Sequence, residues 1–192
     1  GWFTDGFATG QRSRLVALYR FTDATFNDDL ATLVQDAQES VNRVRDATLK
    51  WSRGALNYTD YVVPHLYNLG ISKPGSVDSG DLANTAKAVM DSASSPYDSA
   101  TIGRDSYDFY AMIFPCLPVS WGGLGSVKGS KAWFSCSMGA SIAQHEFGHN
   151  LGLNHARANR EEYGNPLDVM GGGSVPFGAY GEATMYGMQW RP

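Results

Sequence analysis

The chain has 192 residues, which at roughly 150 residues per domain points to one domain rather than a tandem. Its 43% hydrophobic and 12% aromatic content can fill a core, so general disorder is excluded. Fifteen Lys and Arg stand against nineteen Asp and Glu with no basic run, leaving no source for the counterion-release attraction behind nucleic-acid binding; no stretch nears the ~20 apolar residues of a membrane span, and no charged-then-apolar leader opens the chain, which reads as a soluble domain in mature form.

Residues 14–21 (RLVALYRF) read as a buried strand bounded by polar residues. The period then changes. From Asn27, expected as N-cap with Asp28 and Asp29 in the first turn, apolar side chains recur at Leu30, Leu33, Val34, Ala37, Val41, Val44 and Trp51, an amphipathic helix lying on a sheet. A strand is expected at about 58–63, stopped by Pro64. A helix follows over 81–93, after a loop at 75–80, and then a third strand at 107–114, ended by Pro115. Strand alternating with helix predicts right-handed crossovers and a mostly parallel sheet. Beyond it, 121–131 (WGGLGSVKGSK) is glycine-rich, and Ala132, Trp133 and Phe134 suit a short exposed strand or a loop. One further helix is expected at about 141–151, followed by loop and a short closing helix near 182–188.

Cys116 and Cys136 are either a disulfide closing a loop of about twenty residues, worth roughly 3 kcal/mol, or two buried thiols. Asn57, Tyr58 and Thr59 form a glycosylation triplet, a pattern common by chance.

The chemistry concentrates in eleven residues. His145, Glu146, His149, Gly152 and His155 stand in the pattern HExxHxxGxxH. Four residues turn a helix by about 400°, so His145 and His149 project from one face, while Glu146 lies beside that face. Gly152 falls where a helix ends in a left-handed residue, a turn able to bring His155 back as a third nitrogen. Three neutral nitrogens leave a fourth tetrahedral position for water, the arrangement of a catalytic zinc. In a chain with four histidines and twenty-two glycines the pattern arises by chance roughly five times in a million. Zinc brings a water pKa toward 7, Glu146 is the matching general base, and no covalent nucleophile is required. A serine mechanism would have only His65 left as its base, and His65, beside Pro64, reads as a loop or strand-end residue. Met170 lies in a Gly-flanked turn fifteen residues after His155; alone it would be an ordinary core methionine, but beside the histidine motif it reads as part of the site.

These segments, HEFGHNLGLNHA at 145–156 and EYGNPLDVMG at 162–171, resemble the metzincin clan of zinc endopeptidases, and within it the gametolysin (autolysin) family. The resemblance implies a mixed α/β (α+β) zincin fold: a twisted five-stranded sheet with an antiparallel edge strand, two long helices above the cleft, and a small loop-rich C-terminal lobe. It implies one catalytic domain over 1–192, with an upper lobe to about 152 and a lower lobe from about 153. It implies Zn²⁺ held by His145, His149 and His155, Glu146 as catalytic base and Met170 as the floor beneath the ligands. Ala156 departs from the residues that other metzincin families place after the third histidine. Gly172 stands where astacins and serralysins carry a tyrosine ligand, and Asn165 stands where many gametolysin relatives carry Asp. The expected protein is a secreted, monomeric endopeptidase acting on peptide or protein substrates, by family on extracellular-matrix or cell-wall glycoproteins, with neither nucleic acid nor membrane as a partner. An extended substrate would pair with an edge strand in 121–134 and place a side chain in a pocket beside His149, partly built from the segment after Met170. The alternatives are a zinc-containing binding module without catalysis, and a structural zinc fold with a fourth protein ligand.

Overall fold

The computed structural model describes residues 8–172, 179–181, 185, 188 and 190. Its elements are β1 (Gly10–Arg20), α1 (Leu30–Trp51), β2 (Leu56–Asn68), α2 (Ser79–Asp91), α3 (Ser99–Ile102), a 3-10 turn (Arg104–Ser106), β3 (Phe109–Phe114), β4 (Gly123–Gly125), β5 (Lys131–Ser135) and α4 (Ala140–Asn150). They form a mixed sheet in the order β2-β1-β3-β5-β4, with β4 alone antiparallel. This is the expected five-stranded α/β architecture with an antiparallel edge. No helix among the described residues is long and apolar enough to cross a membrane.

The strand period sorts side chains onto two faces. Val16 and Leu18 pack with Ala37, Val41 and Val44 of α1 and with Ala143 and Phe147 of α4. Leu15, Ala17 and Tyr19 point the other way, onto Leu82 and Met90 of α2. A third cluster gathers Leu56, Tyr58 and Phe109 with Leu153, Met170, Tyr180 and Trp190, and the Trp190 indole donates to the carbonyl of Ala8 at 2.6 Å.

Several boundaries differ from the sequence-based expectation, each for a tertiary reason. β1 starts at Gly10, because polar residues 10–13 pair with β2 from Leu56 to Thr59. β2 runs through Pro64 to Asn68: it is an edge strand, where a missing N–H is tolerated, and the register shift between Val16 and Leu18 absorbs the irregularity. The cap of α1 is Asp29, not Asn27, accepting from the Thr32 N–H at 2.8 Å. Helix α2 begins at Ser79, capped by Asp78 at 2.9 Å from the Asp81 N–H. The segment at 132–134 is a buried strand inside the sheet, with Ala132 and Phe134 fully covered. The expected helix at 182–188 lies almost wholly outside the described residues.

One buried ion pair ties the sheet to α4. The Arg14 guanidinium donates to Asp60 at 2.5 and 2.9 Å and lies 3.7 Å over the Tyr58 ring and 4.5 Å from the Phe147 ring. Both charged side chains are nearly inaccessible. Cys116 and Cys136 form a disulfide, joining the ends of β3 and β5 around the β4 excursion.

Candidate metal centre and active site

Helix α4 carries His145, Glu146 and His149, and its end is shaped by backbone chemistry. Gly152 has φ +99°; its N–H reaches the His149 carbonyl at 2.8 Å, and the Leu153 N–H reaches the Gly148 carbonyl at 3.0 Å. These are the paired bonds of a left-handed glycine stop. The turn has two consequences. It sends the chain back so that His155 meets the helix, and it places the Leu153 carbonyl where the His149 Nδ1 donates to it at 2.7 Å.

The other rings are oriented in the same manner. The Nδ1 of His145 bonds the Val169 carbonyl at 2.9 Å, and the Nδ1 of His155 bonds the Glu162 carboxylate at 2.9 Å. With every Nδ1 engaged, each imidazole keeps Nε2 as its free lone pair. The three histidines offer ligand atoms within 4.8 Å of one another, and their ring centroids are 4.8 to 5.3 Å apart. Burial lowers the His145 pKa, and it pushes His149 down to about 4, so both are neutral, the form that coordinates metal. Three oriented nitrogen donors with carbonyl and carboxylate partners behind them fit a borderline-soft divalent ion such as zinc.

Glu146 sits against the sheet edge. The residue is 7% exposed, and burial raises its carboxyl to about 7, opposed by a hydrogen bond from the Gly125 backbone. That contact requires glycine. A Cβ on Gly125 would run into the backbone oxygen of Glu146, and one on Gly123 would lie 2.6 Å from Ile142 and 2.8 Å from the Glu146 side chain. The glycine-rich run therefore provides clearance for α4, beyond serving as a turn. At the helix end, the Asn150 amide donates to the carbonyls of Ser126 and Lys131 at 3.0 and 2.9 Å and fixes the β4–β5 hairpin on α4.

Below the helix, Met170 is fully buried, and a Cβ on Gly148 would collide with its sulfur. Asp168 holds this turn: its carboxylate accepts from the N–H groups of Met170 and Gly181 at 2.9 and 3.0 Å. The Ala156 N–H bonds the Met170 carbonyl at 2.8 Å, and the Asn165 N–H bonds the Ala156 carbonyl at 3.1 Å. Asn165 also accepts from the Leu167 N–H at 3.0 Å, a local turn that Asp would make equally well. Around these groups lies a cleft of about 730 Å³, flanked by Trp121 and Leu124 on one side and Arg157 and Tyr163 on the other.

The five residues singled out from the sequence thus come together. His65 does not: it lies on β2, at the opposite edge of the sheet from β4, stacked on Tyr97 with centroids 4.5 Å apart. Sequence reading missed Glu162, Tyr163, Gly123, Gly125 and the carbonyls of Leu153 and Val169. Only Glu162 and Tyr163 left a signal, a carboxylate and an aromatic residue close behind the third histidine.

A family model for gametolysin peptidase M11 matches residues 83–191, over half of the chain and including the whole site. This chain belongs to the gametolysin family. Among solved structures it is similar to metalloproteinase-II from Bacteroides fragilis, with a TM-score of 0.52 at 13% identity, over 97% of this chain and 54% of that one. It is also similar to a chain in a structure of a chaperone–substrate complex, with a TM-score of 0.53 at 14% identity, over 88% of this chain and 28% of that one. Likeness at such identity is likeness of fold, and this chain spans about half or less of each of those chains. No curated protein matches it. The family is one of metallopeptidases, and the three histidines have the donor chemistry to hold the metal that such an enzyme calls for.

Proposed function

We propose that the protein is a secreted zinc endopeptidase of the metzincin type, with His145, His149 and His155 as ligands, Glu146 as general base and Met170 as the floor of the site. The observation that carries this reading is the convergence of three free imidazole nitrogens, each with its Nδ1 held, beside one buried carboxylate. Zinc bound there would acidify water toward neutrality and polarise the scissile carbonyl. Glu146 takes the proton of the attacking water at its carboxylate and returns it to the departing amine nitrogen, so the carboxylate ends each cycle as it began. Its raised carboxyl pKa of about 7 matches a group that must both accept and donate a proton near neutrality. The Gly125 N–H holds the carboxylate in place, and Trp121 and Leu124 shield one wall of the cleft.

An extended peptide adds to the outer edge of β4, where the sheet order ends, through main-chain hydrogen bonds. The pocket segment expected after Met170 falls mainly on residues outside those described. The substrate class follows the family resemblance: extracellular-matrix or cell-wall glycoproteins, cleaved by a monomer. The Cys116–Cys136 disulfide supports secretion, since such bonds persist in oxidising compartments.

The test is cleavage of a peptide library with and without chelator, alongside metal analysis. Zinc near one per chain and activity abolished by chelation and restored by zinc are expected. Glu146→Gln should keep the metal and lose about 10²- to 10⁴-fold in turnover. Undiminished cleavage by that variant removes the assigned base, and a chain with metal but no cleavage in the unaltered protein favours a binding module.

A further inference from the structure

Catalysis of this kind needs two things at the scissile carbonyl: a base on the side of the attacking water, and a donor aimed at the oxygen that becomes negative. Glu146 supplies the first from the upper side of the cleft. On the lower side the described residues place an aromatic side chain with a free hydroxyl. Tyr163 lines the same cleft as Glu146 and the three histidines. Its ring centroid is 4.0 Å from that of His155 and 6.2 Å from that of His145.

The position is built. The carbonyl of Tyr163 accepts from the Gly172 N–H at 2.7 Å, and the next residue, Gly164, donates to the Glu161 carbonyl at 3.2 Å. A Cβ on Gly164 would collide with the Ala158 carbonyl oxygen, so the backbone on either side of Tyr163 is closely packed. The residue is 49% exposed, and among the described residues its hydroxyl has no hydrogen-bond partner. A large aromatic residue left half in water with an unused donor, held against a histidine of the site, is poorly explained by packing alone. Of the other polar groups lining the cleft, Arg157 acts on the Glu162 carboxylate. A phenol is a donor throughout the neutral range.

We propose that Tyr163 is a further catalytic residue, whose hydroxyl donates a hydrogen bond to the oxyanion that develops at the scissile carbonyl. The inference rests on the peptidase reading above and deepens it. No covalent bond is made or broken by Tyr163: its proton stays on the phenol, and the hydrogen bond strengthens as charge accumulates on the carbonyl oxygen and relaxes as the carbonyl reforms.

The experiment compares the unaltered protein with Tyr163→Phe and Tyr163→Leu, using a fluorogenic peptide taken from the library and a phosphinate analogue of its scissile bond. Three quantities are read: kcat and KM, phosphinate affinity by calorimetry, and zinc retention against a chelator. A buried donor of this kind contributes 10²- to 10³-fold, and half exposure reduces that to roughly 10- to 100-fold for Tyr163→Phe. The loss should fall on kcat with KM within about twofold, and phosphinate affinity should fall by a similar factor, since the analogue carries the tetrahedral oxygens. Zinc retention should be unchanged, because the ring against His155 remains. Tyr163→Leu should add weaker zinc retention. If Tyr163→Phe matches the unaltered protein in kcat and phosphinate affinity while Tyr163→Leu loses zinc, Tyr163 is only a shelf for His155 and the proposal is overturned. Should the unaltered protein itself neither cleave the library nor bind the phosphinate, the peptidase reading fails first, visibly, before any variant is considered.

Discussion

Helix α4 and the segment 153–172 meet at the three histidines, yet they are held by different forces. The helix is anchored by burial: Ala143 and Phe147 are inaccessible in the sheet core, and the Arg14–Asp60 pair lies against the Phe147 ring. The segment below contributes His155, which is half-buried, and Glu162 and Tyr163, which are exposed. It keeps its shape through backbone hydrogen bonds that link Ala156 to Asn165 and Met170 and Tyr163 to Gly172, and through glycines where a Cβ would strike a carbonyl. The difference teaches that damage to the first region should unfold the domain, whereas damage to the second should spoil the site while the fold survives.

The sharpest way to break that division is to remove Asp60. Asp60→Ala strands a buried guanidinium and should cost about 3–5 kcal/mol, read as a lowered denaturation midpoint with loss of metal binding as a consequence. A midpoint close to that of the unaltered protein would mean that the core does not depend on this pair. Next in size, Cys116→Ser should cost roughly 3 kcal/mol for a loop of this length, measured by thermal unfolding, with kcat per folded molecule retained because neither sulfur lines the cleft.

Gly125→Ala sits on the boundary between the two regions. Its methyl group would meet the Glu146 backbone, and overpacking of this sort costs about 1–3 kcal/mol. Activity should fall further than stability explains, since the proposed base itself is displaced. A variant as stable and active as the parent would show that the hairpin can shift away from α4. The smallest effect on the fold is expected for Glu162→Gln. Zinc affinity should drop by about 10- to 100-fold, the usual effect of losing a carboxylate behind a ligating histidine, while the metal-free melting temperature stays unchanged. A lowered metal-free melting temperature would erase the distinction between the two regions.

Legibility followed the range of the interactions. Helical spacing places His145 and His149 on one face within a single turn, and the glycine stop that returns His155 is equally local. For the same reason the hydrophobic periods of β1, α1, α2 and β3 could be read, while their ends could not. Asp29 rather than Asn27 caps α1, and β2 passes through Pro64 because its place at the sheet edge, a fact about its neighbours, removes the need for that N–H. The strand at 132–134 looked exposed because burial there comes from β3 on one side and α4 on the face, both distant in the chain.

A short motif with a one-turn period thus carried the donor set, the proposed base and the family in its own residues, since bonded geometry alone brings those groups together. The orienting partners Val169 and Glu162, the glycine clearance against Glu146, the Met170 sulfur under Gly148 and the pairing of Arg14 with Asp60 arise from contacts between segments far apart along the backbone. Those depend on how sheet, helix and loop pack against one another, and no local period encodes them.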